Sequence, residues 1–419
     1  MDYIRIILAM IIKFGDGIEI YLLGVITQKV SCELGVSGFM EGMVSVTFFT
    51  FFAISTMAAV PLTKRFGDRI ILLVSLYTTI MFSITCALLP NYYTLILSRS
   101  LIGLCVGLNS ATVGVFVSKQ ASSKEVADLS LFMKGGIALT LGGGWVSILG
   151  WLILDAVEWH NFIIFTSLPF FVPAVIILHC CTEKTPDSDS WGPIATESTS
   201  LISKTKDYGP HFSGRVMKTS IFIFCNVFLG YGIILLLPSI IRYHKTCAAE
   251  ESLKMFQLYK DSDTDVEVDH CRNVAVQGND LLILAAVSGG ANAVGRPLGY
   301  FLRNVLTFRV LQSSIAFMTA LSYSIILFKP GLTMASVLMG VATLSYSIQD
   351  AEVSIIPYDL NYFGSTGIAL GAAIITCVGM FGAILGTSLA AFSPPNIAVL
   401  ITLLISVTQM IVIYFMGER

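Results

Sequence analysis

Stretches of about twenty predominantly apolar residues, separated by brief polar breaks, fill this chain from Ile4 to Phe415. A run of about 20 such residues forms a helix that crosses a ~30 Å hydrocarbon core while bonding all of its own backbone groups. The blocks predict helices over 4–28, 38–61, 69–89, 93–117, 129–154, 160–181, 218–242, 279–302, 308–328, 331–356, 365–391 and 396–416. The expected fold is therefore all-α, a membrane protein with twelve transmembrane helices.

Composition agrees. Hydrophobic residues make up 55% of the 419 and charged residues 12%, about half the charge of a soluble domain. Twelve spans leave no room for a sizeable soluble domain. The first apolar run lacks the short core and small-residue cleavage site of a signal peptide, so it reads as a retained helix. Basic residues at the span ends, among them Lys64, Arg65, Arg69, Arg303 and Arg309, gather on one side, whereas the short opposite loops carry Lys29 and Lys329. By the positive-inside rule both termini are expected in the cytoplasm, at the plasma membrane or an intracellular vesicle membrane.

The segment Thr182 to Gly214 is rich in Ser, Thr, Asp, Lys, Pro and Gly, a composition that cannot bury a core. It divides the chain into an N-terminal six-helix bundle (1–181), a cytosolic linker (182–217) and a C-terminal six-helix bundle (218–419) with a luminal loop at 243–278. Gly15-Asp16-Gly17-Ile18 in span one has a counterpart, Gly230-Tyr231-Gly232-Ile233, at the same depth in span seven. Two membrane halves around a midplane site form the architecture of an alternating-access transporter.

These features resemble the major facilitator superfamily, and more narrowly the synaptic vesicle glycoprotein 2 and related transporter-like proteins. Asp16–Glu19 is similar to the acidic first helix of that family, and Cys32-Glu33-Leu34 to its first luminal loop. The segment Thr63–Arg69 falls where the superfamily has its gating loop (here Lys64, Arg65, Gly67, Asp68 and Arg69). Arg99, Gly103 and Gly107 match the pattern of helix four; Asn226, Phe228, Tyr231, Gly232 and Pro238 look like helix seven. The chain also departs from the pattern. Lys64 and Asp68 stand where the superfamily has Asp and Arg, and its cytosolic charges after helices four and ten correspond to Ser118, Ala121, Glu125, Pro357, Leu360, Asn361 and Gly364. The missing groups are those that latch the outward-open state.

Ionisable groups at membrane depth are costly and need partners. Lys13, Asp16 and Glu19 follow at steps of three, which places them within a ~120° sector of one helix. The resemblance sets Arg99 beside them. Either they form a proton or cation site, or they are a fully paired structural network. In span ten, Gln349, Asp350 and Glu352 lie at the depth of Arg296 in span eight, so an Arg296–Asp350 ion pair is expected; Asp350 and Glu352 are also candidates for proton coupling. Asn226 and Tyr231 in span seven either contact a solute or join helices.

Cys247 and Cys271 flank the luminal loop and are candidates for a disulfide worth ~3 kcal/mol, with Cys32 a rival partner. The five histidines (His160, His179, His211, His244 and His270) show no metal-ligand spacing, and no nucleophile–base set converges in the membrane. An enzyme, a metal, a cofactor and nucleic-acid binding are thus not expected. Two readings remain. One is a monomeric secondary transporter, surrounded by the lipid bilayer, that moves a small charged organic solute, with protons as the candidate coupling ion. The other is a transporter-shaped receptor, regulator or scaffold that does not transport.

Overall fold

A computed structural model describes residues 2–36, 38–118, 137–154, 156–180, 212–256, 280, 283, 285–303, 305–328, 331–353 and 368–416. Among the described residues there are twelve helices, counting one π-helical turn with its α-helical continuation. They are α1 (Asp2–Leu34), α2 (Gly38–Phe66), α3 (Asp68–Leu88), α4 (Tyr92–Ser118), α5 (Leu139–Ile153), α6 (Trp159–Cys180), α7 (Phe212–Phe256), α8 (Ala285–Gly290 running on as Ala291–Arg303), α9 (Phe308–Ile326), α10 (Leu332–Val353), α11 (Ile368–Phe392) and α12 (Pro395–Met416). The chain is a multi-pass membrane protein. Among the described residues, six helices qualify as membrane-spanning by length and apolarity alone. The others include α1, with its buried Lys13, Asp16 and Glu19, and α8, with Asn292 and Arg296.

Local chemistry sets several boundaries. Gly67, at φ 81°, supplies the left-handed residue that turns α2 directly into α3. The Asn91 side chain accepts a bond from the Thr94 N–H at 2.9 Å, satisfying a free donor at the start of α4. Pro395 opens α12, where its missing N–H costs nothing. Two helices outrun the apolar pattern. The first expected span, 4–28, lies inside the longer α1, which carries Lys29; its ammonium donates to the Leu154 carbonyl at 2.5 Å, capping the end of α5. The seventh, 218–242, lies inside α7, which reaches Phe256. Most of the expected linker, 181–211, lies outside the described residues, as does Cys271 of the expected disulfide together with the Cys247 side chain.

Packing repeats with a period of six helices. In the first half α1 packs on α4, α5 and α6, α2 on α4, and α3 on α4 and α6; in the second, α7 packs on α10, α11 and α12, α8 on α10, and α9 on α10 and α12. Small residues make these approaches possible. A Cβ on Gly17 would strike the Leu139 carbonyl of α5, whereas one on Gly232, its counterpart in the repeated Gly-x-Gly-Ile, would make only ordinary contact with the Gly386 backbone of α11. At α2–α4 a Cβ on Gly107 would strike Ser55, and at α8–α10 one on Gly295 would strike Ser347. The second pair stands the same number of residues after the first, with the small and larger partners exchanged.

Each half also ties its third helix to the end of its sixth. Arg69 of α3 donates to the His179 carbonyl of α6 at 3.1 Å, and Arg309 of α9 donates to the Tyr414 carbonyl of α12 at 3.5 Å. Lys218 of α7 reaches the neighbouring Phe415 carbonyl at 3.0 Å. Cations at helix C-termini satisfy carbonyls that have no intrahelical partner. Of the gating-loop residues, Arg69 is thus engaged with α6, Arg65 lies over the Phe66 ring, Asp68 sits in the first turn of α3, and the Lys64 side chain is outside the described residues.

The halves meet along two seams, α2 on α11 and α5 on α8. Phe39 stacks on Phe392 with ring centroids 5.1 Å apart, and the Met57 and Cys377 sulfurs lie 3.3 Å apart on the first seam. On the second, Gly144 and Gly289 meet backbone to backbone. Because the Leu139 carbonyl cannot move without disturbing α5, Gly17→Ala is expected to destabilise the protein by about 1–3 kcal/mol. Gly331→Ala, which has open space at its Cβ, is the control expected to change nothing. Thermal unfolding of the detergent-purified variants measures the difference.

Candidate functional site

One helix presents two chemistries. In α1, Lys13, Asp16 and Glu19 share a face, while Tyr21, two residues beyond Glu19, is turned about 200° away from it. The first face looks into its own bundle. Lys13 Nζ lies 3.3 Å from Asp16 Oδ2, and Asn109 of α4 donates to Asp16 Oδ1 at 3.1 Å. The Asn109 carbonyl in turn accepts from Ser75 of α3. One turn on, Arg99 of α4 pairs with Glu19 Oε2 at 2.5 Å, and Ser167 of α6 donates to the other carboxylate oxygen.

Two cations face two carboxylates in this network, and its charges balance. The side chains of Asp16, Glu19 and Arg99 are fully buried, and Lys13 nearly so. Asn109, Ser75 and Ser167 are members that the sequence did not single out. Each is a neutral polar residue within an apolar run, and such residues more often bond their own helix backbone.

The opposite face of α1 looks across to the other half. Asn292 of α8 donates to the Tyr21 hydroxyl at 3.3 Å, and Ser347 of α10 donates to the Asn292 carbonyl. One turn along α8, Arg296 pairs with Asp350 of α10 at 2.5 Å, and Asn226 of α7 approaches the second Asp350 oxygen at 3.5 Å. Tyr231 of α7 sets its ring edge-on to Phe49 of α2, centroids 5.0 Å apart. The Tyr346 ring fills the space left by Gly230 of α7. Tyr21, Tyr231 and Tyr346 all lie within electrostatic reach of both Arg296 and Asp350.

Side chains of four helices from both halves, α1, α7, α8 and α10, therefore gather around one ion pair, and Phe49 of α2 packs on one of them. Burial separates this group from the network in α1. The Asp350 side chain is 15% exposed, against 0% for Asp16 and Glu19. Gln349 turns the other way, donating to the Gln312 carbonyl of α9 at 3.3 Å. The Glu352 side chain is outside the described residues. Tyr21, Asn292 and Tyr346 are the residues sequence reasoning passed over; helical periodicity held the signal for Tyr21, because a residue facing away from a buried charge cluster must face something else. Among the described residues no group of three or more His, Cys, Asp or Glu side chains is arranged to hold a metal ion.

The sealed network yields a stability prediction. Removing one member of a buried pair leaves an uncompensated charge, at a cost of about 3–5 kcal/mol. Glu19→Gln and Arg99→Gln are each expected to lower thermal stability strongly, and the double variant by much less than the two losses combined. A double-mutant cycle on detergent-purified protein measures the coupling.

Comparison with known proteins places this architecture. The model of the Major Facilitator Superfamily matches residues 9–357. The chain is 21% identical over 267 residues to the synaptic vesicle 2-related protein of Rattus norvegicus, covering 57% of this chain and 47% of that protein. It is 24% identical over 259 residues to the 4-hydroxybenzoate transporter PcaK of Acinetobacter baylyi, covering 56% of each. These matches span about half the length of the curated relatives. The fold superposes on the crystal structure of a D-xylose-proton symporter with a TM-score of 0.68, over 99% of this chain and 97% of that one, at 12% identity. With its helices paired and repeated as described, and its family model covering most of its length, the chain belongs to the Major Facilitator Superfamily, a family of membrane transporters.

Proposed function

We propose that this protein is a secondary transporter that moves a small charged organic solute by alternating access. The solute sits between the two halves, against Tyr21, Phe49, Asn226, Tyr231, Arg296 and Asp350. The observation that carries this reading is the Arg296–Asp350 pair, its carboxylate partly exposed, with Asn226 of α7 beside it and Tyr21 of α1 near it. A site built from both bundles changes its access when the bundles rock, which is the requirement of alternating access. Three tyrosines and a phenylalanine around one ion pair suit a solute with both a charged group and a flat apolar body. The name of the 4-hydroxybenzoate transporter relative describes such a molecule, and that of the structural neighbour describes coupling to protons.

The network at Lys13, Asp16, Glu19 and Arg99 serves as the rigid keel of the first half in this reading. Both termini face the cytoplasm, in the plasma membrane or a vesicle membrane, and the protein works as a monomer. The departures at Lys64 and Asp68 favour the second reading, a receptor-like protein that binds a solute without moving it.

Uptake into proteoliposomes decides between them. The panel comprises benzoate, 4-hydroxybenzoate, nicotinate, D-xylose and tetraethylammonium. Transport of at least one is expected, with Tyr231→Ala reducing it at least ten-fold while the purified variant remains monodisperse. Thermal stabilisation by a panel member without any flux supports the receptor-like reading instead.

A further inference from the structure

We infer that the solute is an organic anion that enters together with one proton, by taking the place of Asp350 on Arg296. This inference rests on the transport reading and names the substrate class of the same site. It follows from an asymmetry between the two partners. A carboxylate can be neutralised by a proton; a guanidinium keeps its charge under all conditions met by a protein. The pair therefore has two accessible states, neutral as Arg⁺ with Asp⁻, and singly positive as Arg⁺ with protonated Asp. It has no singly negative state. A cationic solute drawn to Asp350 would strand Arg296, which is 2% exposed, without its counter-ion. An anionic solute meets the state that the site can reach.

The exchange balances. Beforehand Asp350 carboxylate holds Arg296. One proton from the aqueous side adds to an Asp350 oxygen, the ion pair opens, and the carboxylate of the solute closes a new pair with the same guanidinium. No covalent bond other than the O–H forms or breaks, and the site is neutral before and after. Asn226 is placed to serve both states. Its amide donates to ionised Asp350, and its carbonyl oxygen, buried without a partner among the described residues, is an acceptor for the new carboxyl proton once the amide turns over.

Among the described residues, the following groups lie near Asp350. From α8 it meets Arg296, from α1 Tyr21, from α7 Tyr231 and from its own helix Tyr346. On α9, Arg309 is engaged with Tyr414, and Tyr323 is fully buried. The acids of α1 are already matched by Lys13 and Arg99 within the first half.

Proteoliposome uptake with imposed gradients tests the idea. The expected result is accumulation of a monocarboxylate (benzoate, 4-hydroxybenzoate or nicotinate) driven by an outside-acid pH gradient and indifferent to a potassium–valinomycin potential, because the cycle moves no net charge. Asp350→Asn is expected to abolish accumulation against a gradient while retaining binding, since Arg296 is then permanently open. Calorimetry in buffers of different ionisation enthalpy is expected to show about one proton taken up per anion bound by the unaltered protein and none by Asp350→Asn. Arg296→Gln is expected to lose monocarboxylate binding at least a hundred-fold. The double variant Arg296→Gln, Asp350→Asn removes the unpaired charge and serves as the folding control. Uptake of D-xylose or tetraethylammonium without any carboxylate leaves the transport reading standing and overturns this inference. So does carboxylate uptake driven by membrane potential, or proton uptake that persists in Asp350→Asn. If no probe is moved or bound, the transport reading falls and this inference with it.

Discussion

A charge at bilayer depth has little water to solvate it, so an opposite charge or several hydrogen bonds must stand beside it. That constraint organises this protein at two places. In the first half it draws α1, α3, α4 and α6 together around Asp16 and Glu19, each carboxylate held by one cation and one neutral donor system. In the second it joins α8 to α10 through Arg296 and Asp350 and brings α7 up to them through Asn226. The first cluster is sealed and its charges cancel. The second is open at one edge and borders the opposite half. The same electrostatic rule thus produces a sealed cluster on one side and a partly exposed ion pair on the other.

The two halves share a plan but not a chemistry. Equivalent helices pack in equivalent ways, and a close glycine–serine approach between the second and fourth helices recurs, as Ser55 on Gly107 and then Gly295 against Ser347. Asp16 corresponds to Tyr231 in the repeated Gly-x-Gly-Ile, so the acid of one half became an aromatic hydroxyl in the other. The steric demand also differs, because a Cβ at Gly17 would strike the Leu139 carbonyl while one at Gly232 has room. The residues between the glycines meet different surroundings: Asp16 lies beside Lys13 and Asn109, and Tyr231 packs on the Phe49 ring.

Much of this was legible in the sequence. Block length and apolarity gave the helices, and the repeated motif pointed to the halves. Spacing by threes put Lys13, Asp16 and Glu19 on one face, and depth alone directed Arg296 toward Asp350. Helix ends were harder. Apolarity marks where lipid stops, whereas α1 and α7 continue because nothing in their polar ends breaks a helix. The hydrogen-bond partners were harder still. Asn109, Ser75 and Ser167 resemble dozens of small polar residues that bond the carbonyl one turn back, as Thr166 and Ser147 do here. Only the approach of another helix separates the two behaviours, and that is a property of packing.

The arginine ties at the helix ends have a mechanical corollary. Arg69 and Arg309 fasten the sixth helix of each bundle to its third by directional bonds. The contacts described along α2–α11 and α5–α8 are of another kind: stacked rings, two sulfurs and a pair of glycine backbones. Such surfaces have no register to lose, and sliding one over the other exchanges one set of dispersion contacts for a similar set. Under the transport reading proposed above, stiff blocks on such joints make a bearing: deformation is confined to the joint, and the proposed site set across it is carried along without being bent.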